Sequence, residues 1–201
     1  MILKVVSYLF LREGNQEDLG DIIINFKATL AYLKGLNPNK STCADNISPK
    51  VLKECAAQTT YLLTLLYNKA LFKGSTRTVW KQSHVTPLFK KGSRLDADNY
   101  RPVSITSVPC KVMEKIIWEQ ITKYLEKTSC ISHNQYGFMS KKRCTSNLLK
   151  SVDYITKALS KRNFVDIAFL DFAKAFHKVS HYRLLHKLKA YGINGNVLKM
   201  N

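Results

Sequence analysis

The run FVDIAFLD, Phe164 to Asp171, limits the fold more than any other stretch of the chain. It is almost continuously apolar, the pattern of a strand covered on both faces, and points to an α/β architecture. Alternation puts Val165, Ile167, Phe169 and Asp171 on one face and turns Asp166 to the other. Asp171 thus arrives at a strand end, followed at once by a small-residue turn and an aromatic, FAKAF, Phe172 to Phe176. A carboxylate on a rigid element suits a hard divalent cation. An aspartate in that place also serves as a simple turn former or helix cap.

The preceding chain reads as helices around a β-ribbon. Residues 21–36 combine a short strand at Ile22, Ile23 and Ile24 with a short helix carrying Leu30, Leu33 and Leu36. Asn37 to Asn46 is a polar loop. Ser48 and Pro49 mark a helix start and Gly74 its end. Within it Val51, Leu52, Cys55, Leu62, Leu65, Leu66 and Ala70 recur at helical spacing and are predicted to face the core. VTPLF (Val85 to Phe89) and RPVSI (Arg101 to Ile105) flank a Gly/Asp/Asn-rich loop and predict the ribbon. Pro87 and Pro102 limit how much of each run can sit in a central strand. Further helices are predicted over Pro109 to Lys127 (Val112, Ile116, Tyr124 and Leu125 inward), over Thr145 to Lys161 (Leu148, Leu149, Val152, Ile155 and Leu159 inward), and over Tyr182 to Tyr191, closed by Gly192.

Charge narrows the partners. Thirty-two Lys and Arg against fourteen Asp and Glu give a formal net charge of +18. Such an excess favours a polyanion, nucleic acid first and an anionic membrane surface second. The five cysteines, Cys43, Cys55, Cys110, Cys130 and Cys144, form no CxxC pair, which predicts free thiols and an intracellular, nuclear or cytoplasmic, setting. No apolar run is long enough to span a bilayer, and Val5 to Leu11 is short for a signal segment, so secretion is not expected.

Three blocks carry a family resemblance. WKQSHVTPLFKKGSRLDADNYRPVSITSVPCKVMEKII (Trp80 to Ile117), SHNQYGFMSKKRCTSNLL (Ser132 to Leu149) and FLDFAKAFHKVSHYRLLHKL (Phe169 to Leu188) stand in the order of a reverse transcriptase from a non-LTR (LINE-type) retrotransposon. The upstream LNPNKSTCADNISPKVLKECA is similar to that family's lead-in helix. The resemblance implies a lead-in over 1–36, a fingers-like region over 37–163 and the start of a palm over 164–201. It further implies RNA-directed DNA synthesis by two-metal nucleotidyl transfer, with Mg²⁺, an RNA template, a DNA primer and deoxynucleoside triphosphates.

Roles follow from the same resemblance. Asp171 is the metal ligand and catalytic aspartate. Lys90 and Arg101 contact the incoming triphosphate, Arg101 with a planar fork and Lys90 as a point charge. Phe172, Lys174 and Ala175 line the nucleotide pocket, and Phe176 either gates the sugar against a 2′-hydroxyl or is simply core. Lys91, Arg94, Lys141, Lys142 and Arg143 track nucleic-acid backbone. Tyr136 and Phe138 either stack on bases or anchor their loop.

The chain also departs from the pattern. Its Cys43, Met139, Cys144 and His177 replace the Gly, Arg, Ser and Asp typical of the family, and Cys43 is expected to resist a positive φ. The family's paired-aspartate block lies beyond Asn201, and one carboxylate does not hold two divalent ions. The 201 residues are therefore expected to bind RNA without extending a primer. The alternatives are a non-catalytic basic RNA-binding protein and a decayed element copy that folds poorly.

Overall fold

The computed structural model describes residues 18–43, 45–140, 142–171 and 178–200. They divide into two compact units, one of residues 18–121 with 193–200 and one of residues 122–192.

In the first unit an extended segment carrying buried Ile22 and Ile24 leads into helix α1 (Phe26–Lys34), capped by the Asn25 side chain on the Ala28 N–H at 2.8 Å. The predicted strand at 22–24 is not formed. Side-chain amides stand where a neighbouring strand would: Asn68 exchanges hydrogen bonds with the Ile24 N–H and C=O at 2.9 and 2.8 Å. Asn196 does the same for Ile22 at 3.0 and 2.9 Å. The backbone is satisfied without a ladder.

The long helix begins as predicted, with Ser48 accepting from the Lys50 N–H and Pro49 in the first turn. It breaks at Cys55 into α2 (Pro49–Glu54) and α3 (Ala56–Lys73), and Gly74 ends α3 at φ 65°. The buried stripe of α3 is Ala56, Thr60, Leu63, Thr64, Tyr67, Ala70 and Leu71. Of the predicted core residues Leu52 and Ala70 are buried, Leu66 is half-buried, and Val51, Cys55, Leu62 and Leu65 are exposed. Two threonines displace leucines because their hydroxyls are satisfied inside: Thr60 donates to Ala56 O at 2.5 Å, and Thr64 Oγ1 lies 2.9 Å from Thr29 Oγ1.

A single-turn helix, α4 (Thr78–Lys81), leads into the ribbon of β1 (Ser83–Phe89) and β2 (Tyr100–Thr106), paired antiparallel with Pro87 opposite Pro102 and Leu88 opposite Arg101. The Lys90 N–H donates to Asn99 O at 2.9 Å, continuing the ladder one pair further. Counting back from that bonded pair, Leu88 and Arg101 form the next one, and the two prolines fall on a pair that needs no cross-strand N–H. Helix α5 (Val108–Lys127) follows. Its Val112, Ile116, Tyr124 and Leu125 are buried, as predicted. Tyr67 secures its start by donating to Pro109 O at 2.8 Å. The chain re-enters this unit with buried Ile193 and Val197.

Cys43 does not take a positive φ; Asn46 does, at 53°. Cys43 is buried and its Sγ donates to Ile105 O, tying the preceding loop to the end of β2. The five cysteines, all among the described residues, form no disulfide.

The second unit holds the end of α5, helix α6 (Cys144–Ser160) and helix α7 (His181–Ala190). Leu125, Leu188 and Tyr191 are buried, Leu184 is half-buried, and Tyr124 donates to Tyr191 O at 2.8 Å. Gly192 closes the end of α7 at φ 73°. Helix α6 corrects the prediction made for it. It is amphipathic, but Leu148, Leu149, Val152 and Leu159 are exposed and Ile155 is only half-buried. The run 164–171 also forms no strand: the sheet among the described residues is β1 with β2, and Phe164 and Leu170 are 100% and 88% exposed. A strand exists by pairing, and no described segment pairs with this one.

Candidate nucleotide and nucleic-acid interface

The ribbon positions the basic residues of the first unit. Alternation from the paired residues puts Lys90 and Arg101 on one face as diagonal neighbours, about 7–8 Å apart along the backbone. Phe89 and Tyr100 lie on the opposite face, their rings edge-on at 5.5 Å. Arg94 joins that second face, its guanidinium 5.4 Å from the Phe89 ring and its carbonyl accepting from Tyr100 Oη at 2.9 Å. The ribbon therefore separates its cations, with Lys90 and Arg101 together and Arg94 apart from them. All three, and Lys91, are exposed.

The loop between the strands is built around Asn99. Its Nδ2 donates to Ser93 O at 2.9 Å and approaches Asp96 Oδ2 at 3.4 Å, while Asp96 Oδ1 accepts from the Asp98 N–H at 3.0 Å. Gly92, at φ 93°, lets the chain pass so close that a Cβ there would come within 2.7 Å of Asn99 Nδ2. Leu95 at the tip is almost fully exposed. Asn99 and Gly92 were not singled out from the sequence as site residues; the DADN capping pattern after a KKG turn was the available signal.

In the second unit two ammonium groups approach the Tyr136 ring, Lys142 at 5.1 Å and Lys150 at 5.9 Å from its centre. Lys142 Nζ also donates to His133 O and Lys150 Nζ to Asn134 Oδ1, each at 2.8 Å. These contacts join the basic loop to α6, and the Tyr136 ring is itself half-buried. Lys150 was missed from the sequence because an isolated helix lysine looks like any solvated one. Phe138 is exposed at φ 60°, an uncommon conformation for a bulky residue. Arg143, just ahead of α6, is exposed. Tyr136 and Lys150 border an open cleft of about 430 Å³ whose other wall includes Asp166 and Ile167.

Asp171 is exposed and ends a segment that has no ladder partner among the described residues. Phe172, Lys174, Ala175, Phe176 and Lys141 lie outside the described residues, as does His177. Among the described residues no three His, Cys, Asp or Glu side chains converge as a metal cluster.

A family model described as reverse transcriptase (RNA-dependent DNA polymerase) matches residues 89–200, from the end of β1 through the Asp171 block to beyond α7. The chain belongs to the reverse transcriptase family. Relatives include the RNA-directed DNA polymerase from mobile element jockey of Drosophila melanogaster, 30% identical over 146 residues, which cover 72% of this chain and 16% of the relative. The probable RNA-directed DNA polymerase from transposon BS of the same fly is 25% identical over 167 residues, 83% of this chain and 18% of that protein. The polyprotein of type-1 retrotransposable element R2 from Popillia japonica is 27% identical over 124 residues, 62% and 17% respectively. This reverse transcriptase chain therefore spans less than a fifth of the length of these relatives. The resemblance to non-LTR element polymerases read from the sequence is upheld by these relatives, and the mixed helix and ribbon architecture agrees with it. No helix among the described residues is long and apolar enough to cross a membrane.

Proposed function

We propose that this chain is the fingers and the beginning of the palm of an RNA-directed DNA polymerase that copies retrotransposon RNA into DNA. The observation that carries the reading is the family match running from the ribbon through the Asp171 block. In this reading RNA template, DNA primer and deoxynucleoside triphosphates are the partners. Lys90 and Arg101 take the triphosphate, which their shared ribbon face suits. Asp171 is one ligand to Mg²⁺ in the parent enzyme, and Phe176 excludes a 2′-hydroxyl from the sugar pocket. Tyr136, Phe138, Lys91, Arg94, Lys141, Lys142 and Arg143 hold template and primer.

The 201 residues alone bind RNA without extending a primer, because a single carboxylate does not strip two divalent ions of their water. Primer extension with Mg²⁺ and filter binding of single-stranded RNA across a salt series test the two halves of this statement. Salt-dependent RNA binding without extension is the expected pair of results. Mg²⁺-dependent extension that Asp171→Asn abolishes would refute the claim of inactivity. Absence of RNA binding at low salt would refute the functional reading itself.

A further inference from the structure

At the C-terminal end of α3 a second group of cations converges, in residues that precede the family-matched segment. Lys69 and Lys73 are one helical turn apart and share a side of α3. The turn that follows folds the chain back over them: the Gly74 N–H donates to Leu71 O and the Ser75 N–H to Ala70 O, each at 3.1 Å. Gly74 is required there twice over. Its φ is 65°, and a Cβ would meet Lys199 Cβ at 2.5 Å. After this reversal Arg77 lines, together with the two lysines, a cleft of about 220 Å³. Trp80 also lines it, buried and 5.8 Å ring to ring from Tyr67, which ties this wall to the core.

The lining contains no carboxylate; Ser75 and Thr76 supply the remaining polar groups. Among the described residues Lys69, Lys73 and Arg77 have no ion-pair partner. The helix C-terminus favours cations near Lys73 through its dipole, but that effect fades within the last turn and does not account for Arg77. Three cations also outweigh the roughly half unit of negative charge the helix end presents. The space is below the roughly 300–1,000 Å³ of pockets that enclose drug-sized ligands, which points to a small anion or a single backbone group.

We propose that Lys69, Lys73 and Arg77 form a phosphate-binding cleft on the first unit. Its ligand is a phosphate group, from either the backbone of a nucleic acid or a free polyphosphate. The site does not depend on polymerase chemistry.

The test uses the full chain and the triple variant Lys69→Gln/Lys73→Gln/Arg77→Gln. A second variant, Lys27→Gln/Lys34→Gln/Lys50→Gln, removes the same charge from exposed positions elsewhere in the unit. Binding of labelled single-stranded RNA is measured from low to moderate salt, and tripolyphosphate binding by calorimetry. If the cleft holds backbone phosphate, the cleft variant lowers the slope of log affinity against log salt by about 2, at about 0.7 per lost contact, and the control variant lowers it far less. If it holds free polyphosphate, the RNA slope is unchanged and tripolyphosphate affinity drops at least tenfold in the cleft variant alone. Equal effects of the two variants, or no effect of the cleft variant in either titration, overturn the proposal. Should the triple variant lose its cooperative melt, Lys69→Gln and Arg77→Gln are read singly, each expected to lower the slope by about 0.7 or weaken tripolyphosphate. Wild-type RNA binding in the same series reports separately on the proposed function.

Discussion

Replacing Tyr67 by phenylalanine removes one oxygen from an aromatic ring with 0% exposure in the first unit. That oxygen donates to Pro109 O at 2.8 Å. Pro109 lies in the first turn of α5, where its carbonyl also accepts from the N–H four residues on. Deleting the phenol therefore leaves the carbonyl with a partner. The loss should be the net value of one hydrogen bond, about 1 kcal/mol, rather than the larger cost of an orphaned buried group. For a unit of roughly 100 residues that lowers the melting midpoint by about 4 °C or somewhat more.

The pH dependence sharpens the test. Burial raises the Tyr67 phenol above its ordinary 10.0, with the neighbouring Cys110 adding to the shift. A raised folded pKa means its stability contribution is complete below pH 10 and is lost as pH climbs, because the unfolded phenol ionises first. From an ordinary pKa of 10.0, this linkage removes about 0.8 kcal/mol from the wild type at pH 10.5 and nothing from Tyr67→Phe. Urea unfolding followed by circular dichroism should show a gap of about 1 kcal/mol at pH 7 that nearly closes at pH 10.5. A loss above about 3 kcal/mol at pH 7, or a gap that widens with pH, would refute the reasoning.

Other outcomes follow from the same structure. Gly74→Ala should cost at least ~1–2 kcal/mol from its φ of 65°, with a further cost from displacing Lys199, read as a lower thermal midpoint. An unchanged midpoint would mean the turn is not constrained as described. Cys110 is pushed by burial, with Glu114 contributing, from 9.0 up to about 12, so the wild type loses stability as pH rises from 9 toward 12. Cys110→Ala should flatten that decline between pH 8 and 10.5, and parallel urea midpoints for the two chains would count against it. Tyr136→Phe keeps the ring beside Lys142 and Lys150 and should leave RNA affinity unchanged. Tyr136→Ala should weaken single-stranded RNA by roughly 1–3 kcal/mol in an anisotropy titration. Equal affinities would show that the ring only anchors its loop.

The sequence disclosed most where local signals and packing agree. Ser48 marks its helix start by a side-chain cap, Pro49, Gly74 and Gly192 mark helix ends by conformational preference, and the structure uses each one. The ribbon was legible because β-branched runs flank a turn whose glycine and Asp/Asn residues close it. What hydrophobic period could not show is which satisfied polar groups turn inward. Thr60 and Thr64 are buried because neighbouring carbonyls and Thr29 complete them, information held in three dimensions. The faces of α6 and of 164–171 are apolar, as their patterns say, but burial needs a covering surface, and among the described residues most of these side chains stay exposed. Of the site, the common ribbon face of Lys90 and Arg101 follows from register, which the facing prolines and loop length constrain. The Tyr136–Lys150 contact joins residues too far apart in sequence for any periodicity to reveal.

The facing prolines of the ribbon have a consequence for solubility. In a pair without cross-strand hydrogen bonds the N–H groups point away from the partner, toward the open margins. Pro87 and Pro102 occupy such a pair, so each margin lacks a donor near its middle. A third strand, from this chain or a second copy, would meet a missing bond whichever side it approached. A ribbon that exposes Val85, Leu88 and Val103 would otherwise invite edge-to-edge stacking. Substituting either proline should open one side to self-association while leaving the hairpin's own ladder intact.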